Sequence, residues 1–135
     1  MINRMALLAA MLVTGGSAPA TIMTSCTPGP YIVFFAQNSA HLDLAARETL
    51  DTSIANLDNC GMGRTYLDGH TDVSEPAGLS RKRVDVVRDY LAAHGTACAD
   101  IVARAHGSRD PHMRTARNLP ERLNRRVEVT FGPPL

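Results

Sequence analysis

Arg64-Thr-Tyr-Leu-Asp-Gly-His-Thr-Asp72 and, six residues on, Leu79-Ser-Arg-Lys-Arg83 form the stretch that decides the fold. Arg64 to Leu67 reads as a short strand that ends at Asp68-Gly69. Ser80 is a good helix N-cap, and Leu79 before it can staple onto Val84. Val84, Val87 and Leu91 then form one apolar stripe, and Gly95 closes the helix. A strand thus leads through a polar segment into a helix. A strand and a helix also precede it. Tyr31-Ile-Val-Phe-Phe35 is a β-branched and aromatic run, and Asn38-Ser39 supplies turn chemistry. Asp43 caps a helix predicted to reach Leu57, with Ala46, Leu50, Ile54 and Leu57 along its buried side.

Downstream, Ile101 to Ala105 reads as a third strand stopped by Gly107, and Ser108 to Asn118 as a polar loop containing Pro111. Pro120 to Asn124 forms a helical turn. Val127-Glu-Val-Thr-Phe131 alternates apolar and polar, as a half-buried last strand does. The order β-α-β-α-β-(α)-β favours a sheet covered by helices on one face.

The N-terminus reads as an export signal. Arg4 supplies a positive charge, Met5 to Val13 an apolar run, and Ala18-Pro-Ala20 a small-residue cleavage site. That run is too short to cross a bilayer, which takes about 20 residues. Residues 1–20 are therefore expected to be a signal peptide and residues 21–30 a linker. Met23-Thr-Ser-Cys26 loosely resembles a lipobox, which would make Cys26 a lipidation site. Spacing favours cleavage after Ala20. Cysteine parity favours lipidation, because Cys60 and Cys98 would then be left as a pair able to form a disulfide.

The formal net charge of +1 disfavours nucleic-acid binding through bulk charge. Basic charge is almost all arginine, with Lys82 the one lysine. No Gly-rich phosphate loop and no Gly-x-Ser-x-Gly elbow is present. His70-x-Asp72 could supply two metal ligands, but the other histidines show no ligand spacing, so neither a metal site nor a cofactor is expected.

Four motifs, in order, resemble the OmpA-like domain family over about residues 31–131. They are Val33-Phe-Phe35 with Asn38-Ser39 and Leu42; Gly69-His-Thr-Asp72; Leu79-Ser80-x-x-Arg83 with Tyr90-Leu91 and Gly95; and Asn124-Arg-Arg-Val-Glu128. The resemblance implies an α+β fold, a mixed sheet with helices packed on one face, spanning 31–135. It also implies a non-catalytic partner of peptidoglycan in the periplasm, tied to the outer membrane through lipid on Cys26 or a partner protein.

Family members hold the diaminopimelate of the peptide stem with an aspartate and an arginine, which correspond here to Asp72 and Arg83. The distal end of diaminopimelate is a zwitterion, so a fixed anion beside a fixed cation suits it, and arginine grips a carboxylate with two hydrogen bonds. Asn38 matches a polar position facing that cleft. Ser74 offers a hydroxyl two residues past Asp72, and Asn124, Arg125 and Arg126 are candidates for lining the cleft. The segment 73–78 is shorter than in many family members and carries no asparagine. Two rival readings stand beside this one: a metal-dependent cell-wall hydrolase using His70 and Asp72, and an envelope protein-interaction module without wall affinity.

Overall fold

A computed structural model describes residues 15–18 and 25–133. The expected cleavage point after Ala20 and most of the leader lie outside these residues. Four strands, β1 (Tyr31–Phe34), β2 (Arg64–His70), β3 (Ile101–Gly107) and β4 (Arg126–Gly132), form one sheet in the order β1-β4-β2-β3. β4 runs antiparallel to both its neighbours, whereas β2 and β3 are parallel. The sheet is therefore mixed, and β1, β2 and β3 all point the same way. Their C-terminal ends meet the start of β4 along one edge, where the intervening loops gather.

Two helices, α1 (Leu44–Cys60) and α2 (Leu79–Ala93), cover one face. Alternation along the strands sends Val33, Leu67, Val127, Val129 and Phe131 to that face. There they form a single core with Leu50 of α1 and Val84, Val87 and Leu91 of α2. Gly69 lets α2 come close, since a Cβ there would meet the Ser80 carbonyl oxygen at 2.7 Å and press into Val84.

Asp43 caps α1 as its spacing implies, its carboxylate accepting from the Ala46 amide at 2.8 Å. α1 continues past Leu57 to Cys60, where Gly61 adopts a left-handed C-cap with φ 58°. β2 likewise runs past Leu67 to His70, because its neighbours on both sides continue the pairing.

Ser80 does not cap α2. The helix begins one residue earlier, and the buried Ser80 hydroxyl donates to the Ala77 carbonyl at 2.8 Å and accepts from the Gly107 amide at 3.1 Å. It pins the helix start to the end of β3.

The cysteine pairing differs from expectation. Cys26 is bridged to Cys60, and Cys98 is exposed and free. The cause is topological. Phe131 donates to the Pro28 carbonyl at 2.8 Å, so the entering chain runs beside the end of β4. That end pairs with the start of β2, directly after α1. Cys26 and Cys60 are thereby brought together, while Cys98 lies in a short 3-10 turn before β3. With its sulfur in the bridge, Cys26 is not open to the thioether linkage of a lipoprotein.

Candidate functional site

The loops at the C-terminal ends of β1 and β2 bring Asp72 and Arg83 into one charged assembly. Arg83, in the second turn of α2, is fully buried. A guanidinium carries five N–H donors in a fixed fork, and here every one has a partner. Nε donates to the Ser39 carbonyl at 2.9 Å, one Nη to the His70 carbonyl at 3.1 Å and the other to the Ala36 carbonyl at 3.2 Å. The remaining two N–H groups grip Glu75 from both sides, one of them at 2.8 Å. Phe35 lies under the guanidinium, 5.2 Å from ring centre to Cζ. Such a charge is tolerable in the interior because its counter-ion and hydrogen bonds are complete.

Glu75 was not legible as a site residue. It sits alone in the segment 73–78, in no periodic relation to Arg83. Its carboxylate also accepts from the Asn38 amide at 2.8 Å and the Asp72 amide at 3.0 Å. One buried acid thus ties together the β1 loop, the β2 loop and α2. The only hint in the sequence was an acid placed between Asp72 and the arginine-bearing helix.

Asp72 is fully buried too. One oxygen accepts from the Ser74 amide at 2.8 Å and the Ser74 hydroxyl at 2.6 Å. The other accepts from the Glu121 amide at 3.1 Å and Arg125 at 3.2 Å. Burial alone would raise its pKa. The hydrogen bonds from Ser74, Glu121 and Arg125 outweigh that and hold the carboxyl below its ordinary value. Asp72 is therefore a fixed anion.

Of the other candidates, Ser74 and Arg125 join this assembly. Ser74 also accepts from Gln37 across the cleft at 3.0 Å, and Arg125 reaches the Phe35 carbonyl at 3.0 Å. Asn38 takes a left-handed backbone with φ 55° and gives its amide to Glu75, while its side chain is exposed. A depression of about 310 Å³ lies between Asn38 and Pro76, Gly78, Leu79 and Lys82. Asn124 is buried away from the cleft and pins Met113 through its amide and carbonyl at 2.8 and 2.7 Å. Arg126 turns to the helix-free face of the sheet, where it holds Glu128 at 3.1 Å.

His70 and Asp72 do not converge on a common point. His70 also faces the helix-free side, stacked on His106 with ring centres 4.9 Å apart. Burial, with help from Arg126, lowers its pKa to about 4. Among the described residues, no group of three or more His, Cys, Asp or Glu side chains is placed to hold a metal.

The model of the OmpA family matches residues 34–125, which contain the whole of this assembly. The chain belongs to the OmpA family. It is 32% identical over 114 residues to the peptidoglycan-binding protein ArfA of Mycobacterium tuberculosis, covering 82% of this chain and 34% of that protein. It is 34% identical over 85 residues to outer membrane protein A of Yersinia pseudotuberculosis, covering 58% of this chain and 24% of that protein. The chain thus spans about a third or less of these curated relatives.

Among solved structures, the peptidoglycan-associated lipoprotein of Burkholderia pseudomallei superposes with a TM-score of 0.68 at 20% identity, covering 85% of this chain and all of that one. The cell wall anchor of the type VI secretion system from Pseudomonas aeruginosa superposes at 0.59 with 26% identity, over 74% of this chain and 75% of that one. The first of these bears on the fold alone. An OmpA-family fold is thereby established, with its charged assembly at the edge where three parallel strands end.

Proposed function

We infer that this protein is a non-catalytic, periplasmic peptidoglycan-binding protein, and that the Asp72–Arg83 assembly takes the diaminopimelate of the peptide stem. The observation that carries the reading is the order of charges across the assembly: Arg125 on Asp72 at one end and Glu75 on Arg83 at the other. Each end mimics half of a zwitterion bound in place. A carboxylate already occupies the Arg83 fork, and a cation already sits on Asp72. The distal end of diaminopimelate carries one ammonium and one carboxylate. Its ammonium exchanges with Arg125 at Asp72, and its carboxylate exchanges with Glu75 at Arg83. The exchange keeps Asp72 and Arg83 paired and the net charge of the site unchanged, and the displaced Glu75 and Arg125 must turn out to water, because an unpaired buried charge is costly. Ser74, bonded to both Asp72 and Gln37, is the point where the segment opens.

The mycobacterial relative named as a peptidoglycan-binding protein, with identity over most of this chain, supports the coarser part of the reading. With Cys26 in the bridge, a partner protein is the remaining one of the two routes to the outer membrane that the sequence suggested. The deciding experiment is co-sedimentation of the protein with purified sacculi of diaminopimelate type and of lysine type. Lysine lacks the distal carboxylate and leaves Arg83 to Glu75. Pelleting with the first wall and not the second is the expected result. Equal pelleting with both would remove the diaminopimelate reading. Soluble muropeptides released during the incubation would indicate an enzyme instead.

A further inference from the structure

The segment that leaves β3 at Gly107 returns to β4 over the helix-free side, and it encloses a groove of about 820 Å³ against Val73. Arg126 lines this groove, its side chain only 5% exposed. Nε of Arg126 is spent on Glu128, and Nη2 donates to the Asp110 carbonyl at 3.3 Å. Nη1 is buried and has no partner among the described residues, and neither has the buried Oγ1 of Thr115, which lines the same groove.

Buried donors are ordinarily satisfied, and an orphan guanidinium N–H is expensive. Arg109 and Arg114 stand on the rim, exposed, and neither makes a salt bridge among the described residues. Asp110 is the one acid in the lining, and it faces His106 at 3.4 Å. Three arginines therefore line a groove whose one carboxylate is turned toward a histidine, and of these Arg109 also donates to the His106 and Ala105 carbonyls at 3.0 and 3.4 Å.

We propose that this groove is a second binding site, for an oxyanion of carboxylate or phosphate type carried by an envelope polymer. Planar, forked donors suit both anions. Arg114 and Arg109 receive the charge at the rim, and Thr115 donates its hydroxyl. Arg126 forms the floor, and its unpaired Nη1 is met when the covering segment shifts onto the ligand. The proposal does not depend on the diaminopimelate reading, because the groove shares no lining side chain with that assembly and adjoins it only along the backbone, at Asp72–Val73 and Arg125–Arg126.

The test is titration of isotope-labelled protein, followed by NMR, with inorganic phosphate and separately with acetate. Ionic strength is held constant with chloride. Both anions are expected to move the amide signals of residues 108–115 and the Arg126 Nε signal well beyond the chloride control. Phosphate binding more tightly assigns the ligand to a phosphate ester. Acetate binding at least as tightly assigns it to a peptide carboxylate.

Arg114→Ala, on the exposed rim, should weaken binding about tenfold, the worth of one charge-assisted hydrogen bond. Thr115→Val should weaken it less, and neither change should alter the fold. Signals that respond to neither anion would overturn the proposal. So would an unchanged affinity in both variants.

Discussion

Replacing Glu75 with alanine is the sharpest perturbation the structure offers. Four hydrogen bonds disappear together: two from Arg83, one from the Asn38 amide and one from the Asp72 amide. The side chains of both ion-pair partners are fully buried, so water does not simply replace the lost carboxylate. Breaking a buried pair from one side typically costs about 3–5 kcal/mol. Folded domains are stable by only about 5–15 kcal/mol, so the loss is a large fraction of the whole.

At about 4 °C per kcal/mol for a domain near this size, the melting point should fall by about 12–20 °C. Glu75→Gln keeps the shape and gives up the charge, so it should lie between the two. Urea and thermal unfolding followed by circular dichroism measure both. Free diaminopimelate should restore more of the lost melting temperature in Glu75→Ala than it adds to the wild type, because its carboxylate finds the Arg83 fork vacant. A loss below about 1 kcal/mol, the range of an ordinary substitution, would refute the placement of Glu75 at the centre of the assembly.

Gly69→Ala puts a Cβ against Val84 and the Ser80 carbonyl, and overpacking of that kind should cost about 1–3 kcal/mol in urea unfolding. Cys26 and Cys60 are 34 residues apart, so loss of their bridge should cost about 3–4 kcal/mol on the chain-entropy account. Maleimide labelling of the native oxidised protein should modify Cys98 alone, and labelling of all three cysteines would contradict the pairing. His70 has a folded pKa near 4, below its ordinary value of 6.5. The unfolded chain therefore takes up the proton first, and stability should fall as the pH drops from about 6.5 toward 4. His70→Asn should flatten that slope in pH-dependent unfolding.

What could be read from the sequence was what is local. Asp43 and Ala46 lie one turn apart, and the cap they form is present. Val84, Val87 and Leu91 repeat at helical spacing and are buried. Val127 to Phe131 alternate and form β4. The readings that shifted depended on contacts between segments distant in the chain. Ser80 satisfies the local rule for a cap, yet its hydroxyl is drawn to the Gly107 amide at the end of β3.

Counting cysteines could not show that the chain before β1 runs beside β4 and so delivers Cys26 to the end of α1. The pairing of Asp72 with Arg83 came from the family motif, and both residues do lie in one assembly. The role of Glu75 was hidden because its partners, Asn38, Asp72 and Arg83, lie on three different elements. Arg126 opens β4 and Arg125 immediately precedes it, and the two side chains go to opposite sides of the sheet. Alternation alone did not say which, and packing puts Arg125 toward Asp72.

The most direct test of the account is titration of meso-diaminopimelate into the isotope-labelled protein, with lysine as the control, read at the backbone amides of Asn38, Asp72, Ser74 and Glu75 and at the Nε of Arg83 and Arg125. The account predicts saturable shifts at these groups with diaminopimelate and little response to lysine. Unchanged signals at Asp72, Glu75 and Arg83 in protein that pellets with sacculi would contradict it, and would move wall binding to another part of the surface.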